Sequence, residues 1–190
     1  MKYLLSFFVL VSIIKTDGSL IQKDDVYCLI SSTKKVYKFG QTPEIEVSIV
    51  NDTQEDLVLI GSLDGSEETW RKPYCYFEIQ KPFDFKIPSF SRCGNVNPLR
   101  IEDFVKVKKG EIFDPYMSLD GFGFFNSHSI SRKDVFRKRG KYKITFHYSS
   151  KSKDIKDYLG DGKEDDELKK MFEKVHHLEL KSNILEIEIR

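Results

Sequence analysis

The chain has 190 residues, of which 13% are aromatic and 32% charged, and its 31 basic residues nearly balance its 30 acidic ones. This length suffices for one domain with its own core, and the aromatic content excludes disorder over most of the chain. A near-neutral chain lacks the broad basic excess that salt-dependent nucleic-acid binding requires. The one basic run, Arg132–Lys141, is interpreted as a solvated loop, so no nucleic-acid partner is predicted.

Residues 1–18 have the pattern of an export signal. Met1–Lys2 is a short basic start, and Tyr3–Ile14 is apolar apart from two serines. The apolar run is shorter than the ~20 residues that a spanning helix needs, which favours a cleaved signal over a membrane anchor or a buried first strand. We expect cleavage after Gly18, export to the periplasm or the extracellular space, and no stable membrane insertion of the mature domain, residues 19–190.

Alternation of apolar and polar residues predicts strand after strand along the mature chain. The pattern is clearest in Glu44–Ile49, Lys141–Tyr148 and Leu185–Ile189, where every second residue must be buried. Further strands are predicted at Val26–Ser31, Lys35–Phe39, Leu57–Ile60, Tyr74–Gln80, Phe104–Val107 and Ile112–Ser118. Asn51–Glu55 and Lys108–Glu111 have the composition of turns.

One segment, Glu164–Val175, has the period of a helix instead. Its apolar face would consist of Leu168, Met171, Phe172 and Val175. The segment begins with acidic residues and ends with basic ones, as the helix dipole favours. We predict a helical insertion at about 154–177, before the last strand and within the same domain. The acidic loop Asp161–Asp166 lacks the ligand spacing of a calcium-binding EF-hand and is interpreted as a solvated helix start.

These elements predict an all-β fold, an immunoglobulin-like antiparallel β-sandwich with one short inserted helix before the last strand. Tyr142 follows a glycine-bearing turn at Gly140, where such folds place a tyrosine whose hydroxyl bonds back to the connecting loop. The alternative is an ordinary inward-facing tyrosine.

Several stretches of the chain resemble known exported proteins. They are Pro43–Asn51, Cys93–Leu99, Glu102–Glu111, Gly140–Tyr142 and Ser182–Ile187. Together they resemble small exported bacterial proteins of uncharacterised function with immunoglobulin-like folds, and the sandwich domain that precedes the catalytic domain of deuterolysin-type metalloproteases. The resemblance covers most of residues 40–190 and implies a sandwich fold. It implies no proteolysis, because the zinc motif His-Glu-x-x-His does not occur in the sequence.

Three cysteines allow one disulfide bond in an exported chain. Cys75 and Cys93 flank the proline-containing stretch Lys81–Pro88, which is typical of a hairpin with the two cysteines opposite each other. We predict a Cys75–Cys93 disulfide. In the chain-entropy model, closing a loop of this size stabilises the fold by about 3 kcal/mol. Cys28 is interpreted as a small buried apolar residue, although which of the three thiols stays unpaired is left open.

The sequence shows no catalytic or metal-binding constellation, and we predict no enzyme activity, metal or cofactor. Its histidines are His128, His147, His176 and His177. His147 is expected on the solvated face of its strand, while His176 and His177 are adjacent and diverge, so they cannot chelate one metal together. No Gly-x-Ser-x-Gly motif is present, and Asp120–Phe124 lacks the Lys-Ser/Thr ending of a phosphate-binding loop.

Two segments are candidate binding surfaces. Leu119–Asn126 is a glycine-bearing loop that carries Phe122, Phe124 and Phe125. Trp70 and Arg71 can form a hot spot for a protein or stack on a sugar. The structural alternatives are a loop that plugs the core and a tryptophan that caps the sandwich. The partner is predicted to be an unknown protein or a glycan.

Two functions therefore remain open at this point. The first is a non-catalytic exported binding module, and the second is a protease inhibitor that acts through the sandwich end loops. The loop signatures of chagasin-type inhibitors are poorly matched by Asn97–Leu99 and Arg71–Pro73. Asn51–Thr53 is a formal N-glycosylation acceptor if the chain is secreted by a eukaryote.

Overall fold

The computed structural model describes residues 25–63, 71–83, 97–115, 124–125, 128–129 and 135–190. Within this part 39% of residues are in strands and 12% in helices, and the strands pair mainly antiparallel, so the predicted all-β class is confirmed. The predicted signal, residues 1–18, lies outside the described residues. No helix in the described residues is long and apolar enough to cross a membrane.

The strands are β1 (Val26–Ser31), β2 (Val36–Tyr37), β3 (Glu46–Asn51), β4 (Leu57–Ile60), β5 (Tyr74–Gln80), β6 (Phe104–Val107), β7 (Ile112–Phe113), β8 (Phe124–Phe125), β9 (His128–Ser129), β10 (Gly140–Ser149), β11 (Glu179–Lys181) and β12 (Leu185–Ile189). Helix α1 spans Asp166–Phe172, and 3₁₀ turns lie at Ile101–Asp103 and Ile155–Tyr158. Four predicted strands have the observed bounds: β1, β4, β5 and β6. Strand β11 follows the predicted insertion at about 154–177 and was not predicted.

The described strands form three sheets. The first has the order β1-β3-β7, the second has the order β2-β12-β10-β5-β8-β9 with β11 also paired to β10, and β4 pairs with β6. We refer to the second as the large sheet. Two of its pairs, β2 with β12 and β5 with β8, are parallel, in contrast to the predicted antiparallel sheets. Both pairs join strands far apart in sequence, so no tight hairpin sets their relative direction.

The core lies between the small sheets and the large sheet, because their inward rows belong to one cluster of buried side chains. From β3 and the residue before it the cluster includes Ile45, Val47 and Ile49, and from β10 it includes Tyr142, Ile144, Phe146 and Tyr148. These predicted inward rows are confirmed. Full burial of an isoleucine, valine or phenylalanine side chain such as these stabilises the fold by about 1.5–3 kcal/mol.

Tyr142 fixes the approach of the chain to β10. Its ring is fully buried, and its hydroxyl donates a hydrogen bond of 2.8 Å to the backbone carbonyl of Lys138. The prediction that this hydroxyl bonds back to the connecting loop is confirmed. Gly140, two residues earlier, has a φ of 129°, and a Cβ there would lie 2.6 Å from the Cβ of Pro82. Glycine is required at this close approach.

The inserted segment packs on a second cluster of buried residues. This cluster includes Leu168 and Phe172 of α1 and Val175 just after it, which pack with Ile60 and Tyr158. Three of the four residues of the predicted face are buried here, whereas Met171 is half-buried, and the helix is shorter than Glu164–Val175. It begins where the Asp165 carboxylate accepts hydrogen bonds from the N–H groups of the second and third helical residues, as an N-cap does.

Candidate binding face on the large sheet

The outward side of the large sheet carries aromatic residues where an exposed antiparallel sheet is usually polar. Tyr76 on β5 pairs across the sheet with His147 on β10, and His147 pairs with Lys181 on β11. Tyr74 lies two residues before Tyr76, and therefore on the same side of the sheet. We call Tyr74, Tyr76, Glu78, His147 and Lys181 the outer patch.

A stacked pair of rings forms the centre of the outer patch. The rings of Tyr76 and His147 are parallel, with centroids 4.5 Å apart. The Nε2 atom of His147 lies 3.0 Å from the Oε2 atom of Glu78, which is also 3.6 Å from the ammonium group of Lys181. The hydrogen bond from His147, helped by the charge of Lys181, holds the pKa of Glu78 below its usual value. The stack on Tyr76 and the hydrogen bond to Glu78 together fix the orientation of the His147 imidazole.

Tyr74 extends the aromatic surface toward one end of β5. Its ring centroid is 5.6 Å from that of Tyr76, and the ammonium group of Lys72 lies 5.6 Å from the Tyr74 centroid. This distance is within the range of a cation–π contact. Both tyrosines are half-buried, so each exposes part of a ring that the sheet holds in place.

Ion pairs border the patch on the sides of β11 and β12. Lys151 and Glu179 lie 2.8 Å apart, and Lys143 and Glu186 lie 3.3 Å apart. A groove of about 1010 Å³ begins at Lys181 and follows β12. Its walls include Lys35, Val36 and Ile184. An aromatic centre, a charged border and an adjoining groove are the features of a recognition surface.

Arg71, a predicted contact residue, is buried, with 2% of its surface exposed. Its guanidinium donates to the backbone carbonyls of Asn97 at 2.5 Å, Ser62 at 3.0 Å and Tyr158 at 3.4 Å. It also donates to the Ser62 hydroxyl. Arg71 therefore joins three chain segments and does not present its side chain at the surface, in contrast to the prediction. Only a side chain with several fixed donors can serve so many acceptors at once.

The other predicted contact residues fall wholly or partly outside the described part of the chain. Trp70 and Phe122 lie outside the described residues. Phe124 and Phe125 form strand β8, and Phe125 pairs with Phe77 of β5, so this part of the predicted loop extends the large sheet.

The predicted disulfide also falls partly outside the described part. Cys93 lies there, and the Cys75–Cys93 bond stays a prediction. Cys75 is fully buried. The two described cysteines, Cys28 and Cys75, are not joined to each other.

Three histidines have defined contacts in the structure. Nδ1 of His176 accepts a hydrogen bond from the Val58 backbone N–H at 3.1 Å, while Nδ1 of His177 lies 3.0 Å from the carbonyl oxygen of Ser150. The two neighbours therefore turn toward different segments of the chain, as predicted. In the described part of the chain no three potential metal ligands come together.

The formal glycosylation site at Asn51 is buried. Asn51 is 0% exposed, and its amide nitrogen donates to the carbonyls of Glu55 and Val107 at 2.8 and 2.9 Å. Its amide oxygen accepts from the N–H and the hydroxyl of Thr53 at 3.1 and 2.6 Å. The Asn-x-Thr spacing thus serves a local turn that closes the end of β3. This use of Asn51 excludes a glycan on the folded chain.

Comparison of the chain with known protein families, with curated proteins and with solved structures gives no match.

The outer patch was missed by sequence reasoning because its residues come from three strands. One signal was present: Tyr74-Cys75-Tyr76-Phe77 places aromatic residues on both faces of a single strand. Only one face of such a strand can point into the core, so the other face exposes its rings. His147 was correctly placed outside the core, but its stacking on Tyr76 depends on a pairing between strands about seventy residues apart.

Proposed function

We propose that this chain is an exported, non-catalytic binding module, built as an immunoglobulin-like β-sandwich, which recognises a protein or a glycan through the outer patch. The observation that carries the proposal is the half-exposed stack of Tyr76 on His147, held by Glu78 and extended by Tyr74.

The strand order supports the immunoglobulin-like part of the proposal. In such sandwiches the first, second and fifth strands share one sheet, and the third, sixth and seventh share the other. With β4 and β6 regarded as continuations of β3 and β7, the sheet β1-β3-β7 corresponds to the former and β5, β10 and β12 to the latter. The hydrogen bond from Tyr142 to Lys138 lies at the start of β10, where these folds place their tyrosine corner.

The chemistry of the outer patch supports recognition. Aromatic side chains supply a large contact area at a low cost in side-chain entropy, because only two torsions are fixed. The rings here are already held by the sheet, and Glu78 and Lys181 place an acceptor and a donor beside them. A ligand therefore meets a preorganised surface.

The contacts of the histidines support a non-catalytic role. His147 is held between Tyr76 and Glu78, and His176 and His177 bind backbone groups of Val58 and Ser150. Each of these three imidazoles therefore makes a structural contact. A general base needs a nucleophile or a substrate proton within hydrogen-bond reach.

Arrays of extracellular proteins and glycans test the proposed site, with the mature chain compared with Tyr76→Ser. We expect at least one ligand whose signal is lost in this variant, because the serine removes the ring that covers His147. Tyr27→Ser is the matched control, since Tyr27 is also a half-buried strand tyrosine but lies on β1. If every ligand of the mature chain binds Tyr76→Ser as well as the parent, the outer patch is not the binding site. The same conclusion follows if Tyr27→Ser loses the same ligands as Tyr76→Ser.

Export is tested separately, by expressing the full chain and sequencing the N-terminus of the secreted form. We expect it to begin at Ser19. Retention of residues 1–18 in a cell-associated product would contradict the exported part of the proposal and leave the binding part to the array result.

A further inference from the structure

Four chain segments meet at one end of the large sheet. The backbone N–H of Phe39, just after β2, donates to the carbonyl of Arg190 at 2.6 Å. Gly140 at the start of β10 pairs with Ile189 at the end of β12. Pro82, just after β5, lies against Gly140. The four segments are residues 37–41, 81–83, 137–141 and 188–190, and we call them the basic end.

Two phenylalanine rings are exposed at the basic end. Phe39 is 54% exposed and Phe83 is 64% exposed. The guanidinium carbon of Arg139 lies 5.4 Å from the centroid of the Phe39 ring. Phe83 approaches within 3.9 Å of the position that a Cβ on Gly140 would occupy. The two rings therefore flank the same stretch of chain, residues 139–140.

The basic end is strongly cationic although the whole chain is nearly neutral. Its described residues include seven basic side chains, Lys38, Lys81, Arg137, Lys138, Arg139, Lys141 and Arg190, and one acidic side chain, Glu188. Glu188 lies 3.0 Å from Arg190, so its charge is already paired within the basic end. Only part of this cluster belongs to the basic run that the sequence showed. The fold adds cations from three other segments and sets two apolar rings among them.

We propose that the basic end adsorbs peripherally to a membrane surface rich in anionic lipid, with Phe39 and Phe83 entering the boundary between headgroups and acyl chains. Cations near an anionic leaflet each contribute attraction that decays within a Debye length. Cations alone would fit any polyanion. Exposed phenyl rings, however, gain free energy only where they leave water, and the acyl boundary offers that environment.

This adsorption is independent of the outer patch, whose side chains are on the outward face of β5, β10 and β11. A domain held by its end would keep that face in solution. Adsorption would therefore place the module at a membrane surface while the outer patch binds its ligand.

The test is co-sedimentation of the mature chain with vesicles of phosphatidylcholine and phosphatidylglycerol, and with vesicles of phosphatidylcholine alone. We expect binding to the anionic vesicles at low salt, weaker binding at high salt, and little binding to the neutral vesicles. Lys138→Gln and Arg139→Gln should each weaken binding about fivefold. Phe39→Ser combined with Phe83→Ser should weaken it at both salt concentrations, because the apolar contribution is not screened.

Matched variants separate this surface from general effects. Ile112→Ser removes an apolar side chain that is 63% exposed on β7, and Lys153→Gln with Lys156→Gln removes two exposed cations from the inserted segment. Both should bind like the parent, and unfolding in urea should show that every variant is folded.

Absence of binding to anionic vesicles would overturn the proposal, and so would equal binding to neutral vesicles. Binding to soluble heparin that Phe39→Ser with Phe83→Ser leaves unchanged, together with unchanged vesicle binding in that variant, would identify a polyanion site and also overturn it.

Discussion

The side-chain amide of Asn183 pairs with both backbone groups of Ile30. The Ile30 N–H donates to Oδ1 of Asn183 at 2.8 Å, and Nδ2 of Asn183 donates to the Ile30 carbonyl at 3.1 Å. Asn183 lies between β11 and β12, whereas Ile30 belongs to β1 of the first sheet. One side chain thus takes the place of a neighbouring strand and connects two sheets at their edges.

This connection predicts that Asn183→Asp destabilises the protein by about 2 kcal/mol, more than Asn183→Ala at about 1 kcal/mol. Aspartate keeps the acceptor but faces the Ile30 carbonyl with a second oxygen in place of the donor. The measurement is the free energy of unfolding in urea. Gln41→Glu is the matched control, because the Gln41 side chain uses its oxygen to accept a hydrogen bond from the Lys38 N–H, and glutamate keeps that acceptor. Equal losses in Asn183→Asp and Gln41→Glu would contradict the prediction.

The alternation of residues predicted much of the fold because burial acts on each strand separately. Ile45, Val47 and Ile49 had to share a buried face whatever strand they paired with, and the structure buries all three. Pairing itself is not local. Nothing in Val36–Tyr37 shows that it lies parallel to β12, since that contact joins residues at opposite ends of the chain.

The prediction of surface residues was less successful for the same reason. Arg71 was expected at the surface as part of a binding hot spot with Trp70. Its burial depends on acceptors from Ser62, Asn97 and Tyr158, which the fold brings together from three segments. The aromatic face of Tyr74 and Tyr76, by contrast, could have been inferred, since both lie on the side of the strand opposite Phe77.

Arg71 provides the second prediction. Arg71→Met should lower the free energy of unfolding by about 3 kcal/mol, because it removes the charged donors that bond the carbonyls of Ser62, Asn97 and Tyr158. Arg71→Lys should recover part of the loss, since an ammonium group supplies donors but not the planar fork. Urea unfolding measures both. Arg190→Met, at an exposed ion pair, should lower stability far less than Arg71→Met, and a similar loss at both arginines would contradict the role of Arg71.

Asn51 provides the third prediction, on glycosylation. A glycan on Nδ2 would replace one of two buried donors and place a bulky group where Asn51 is 0% exposed. We therefore expect that, in folded protein secreted from a glycosylating host, the peptide that contains Asn51 has its unmodified mass. As a positive control, Lys151→Asn with Lys153→Thr creates an Asn-x-Thr acceptor at two exposed positions, 151 and 153. A folded product with a glycan on Asn51 would contradict the structure.

Cys28 provides the fourth prediction, on thiol reactivity. It is 3% exposed, and burial raises the pKa of its thiol to about 12. The thiolate fraction at mildly alkaline pH is then about a thousandfold below that of an ordinary thiol, and iodoacetamide should label native Cys28 correspondingly slowly. Peptide mass mapping measures the rate. Ser31→Cys, at an exposed position on the same strand, should label rapidly. Equal labelling rates at the two positions would contradict the burial of Cys28.

Glu78 provides the fifth prediction, on pH dependence. Its folded pKa is lowered by the hydrogen bond to His147, so its contribution to stability is present above the unfolded value of about 4.3 and is lost as the pH falls through the folded pKa. Its side chain is 49% exposed, which limits the contribution to under about 0.5 kcal/mol at low salt. Glu78→Gln should therefore differ from the parent near pH 7 and match it near pH 3, whereas Glu173→Gln should match it throughout. A constant difference for Glu78→Gln across this range would mean that packing, and not the carboxylate charge, links Glu78 to His147.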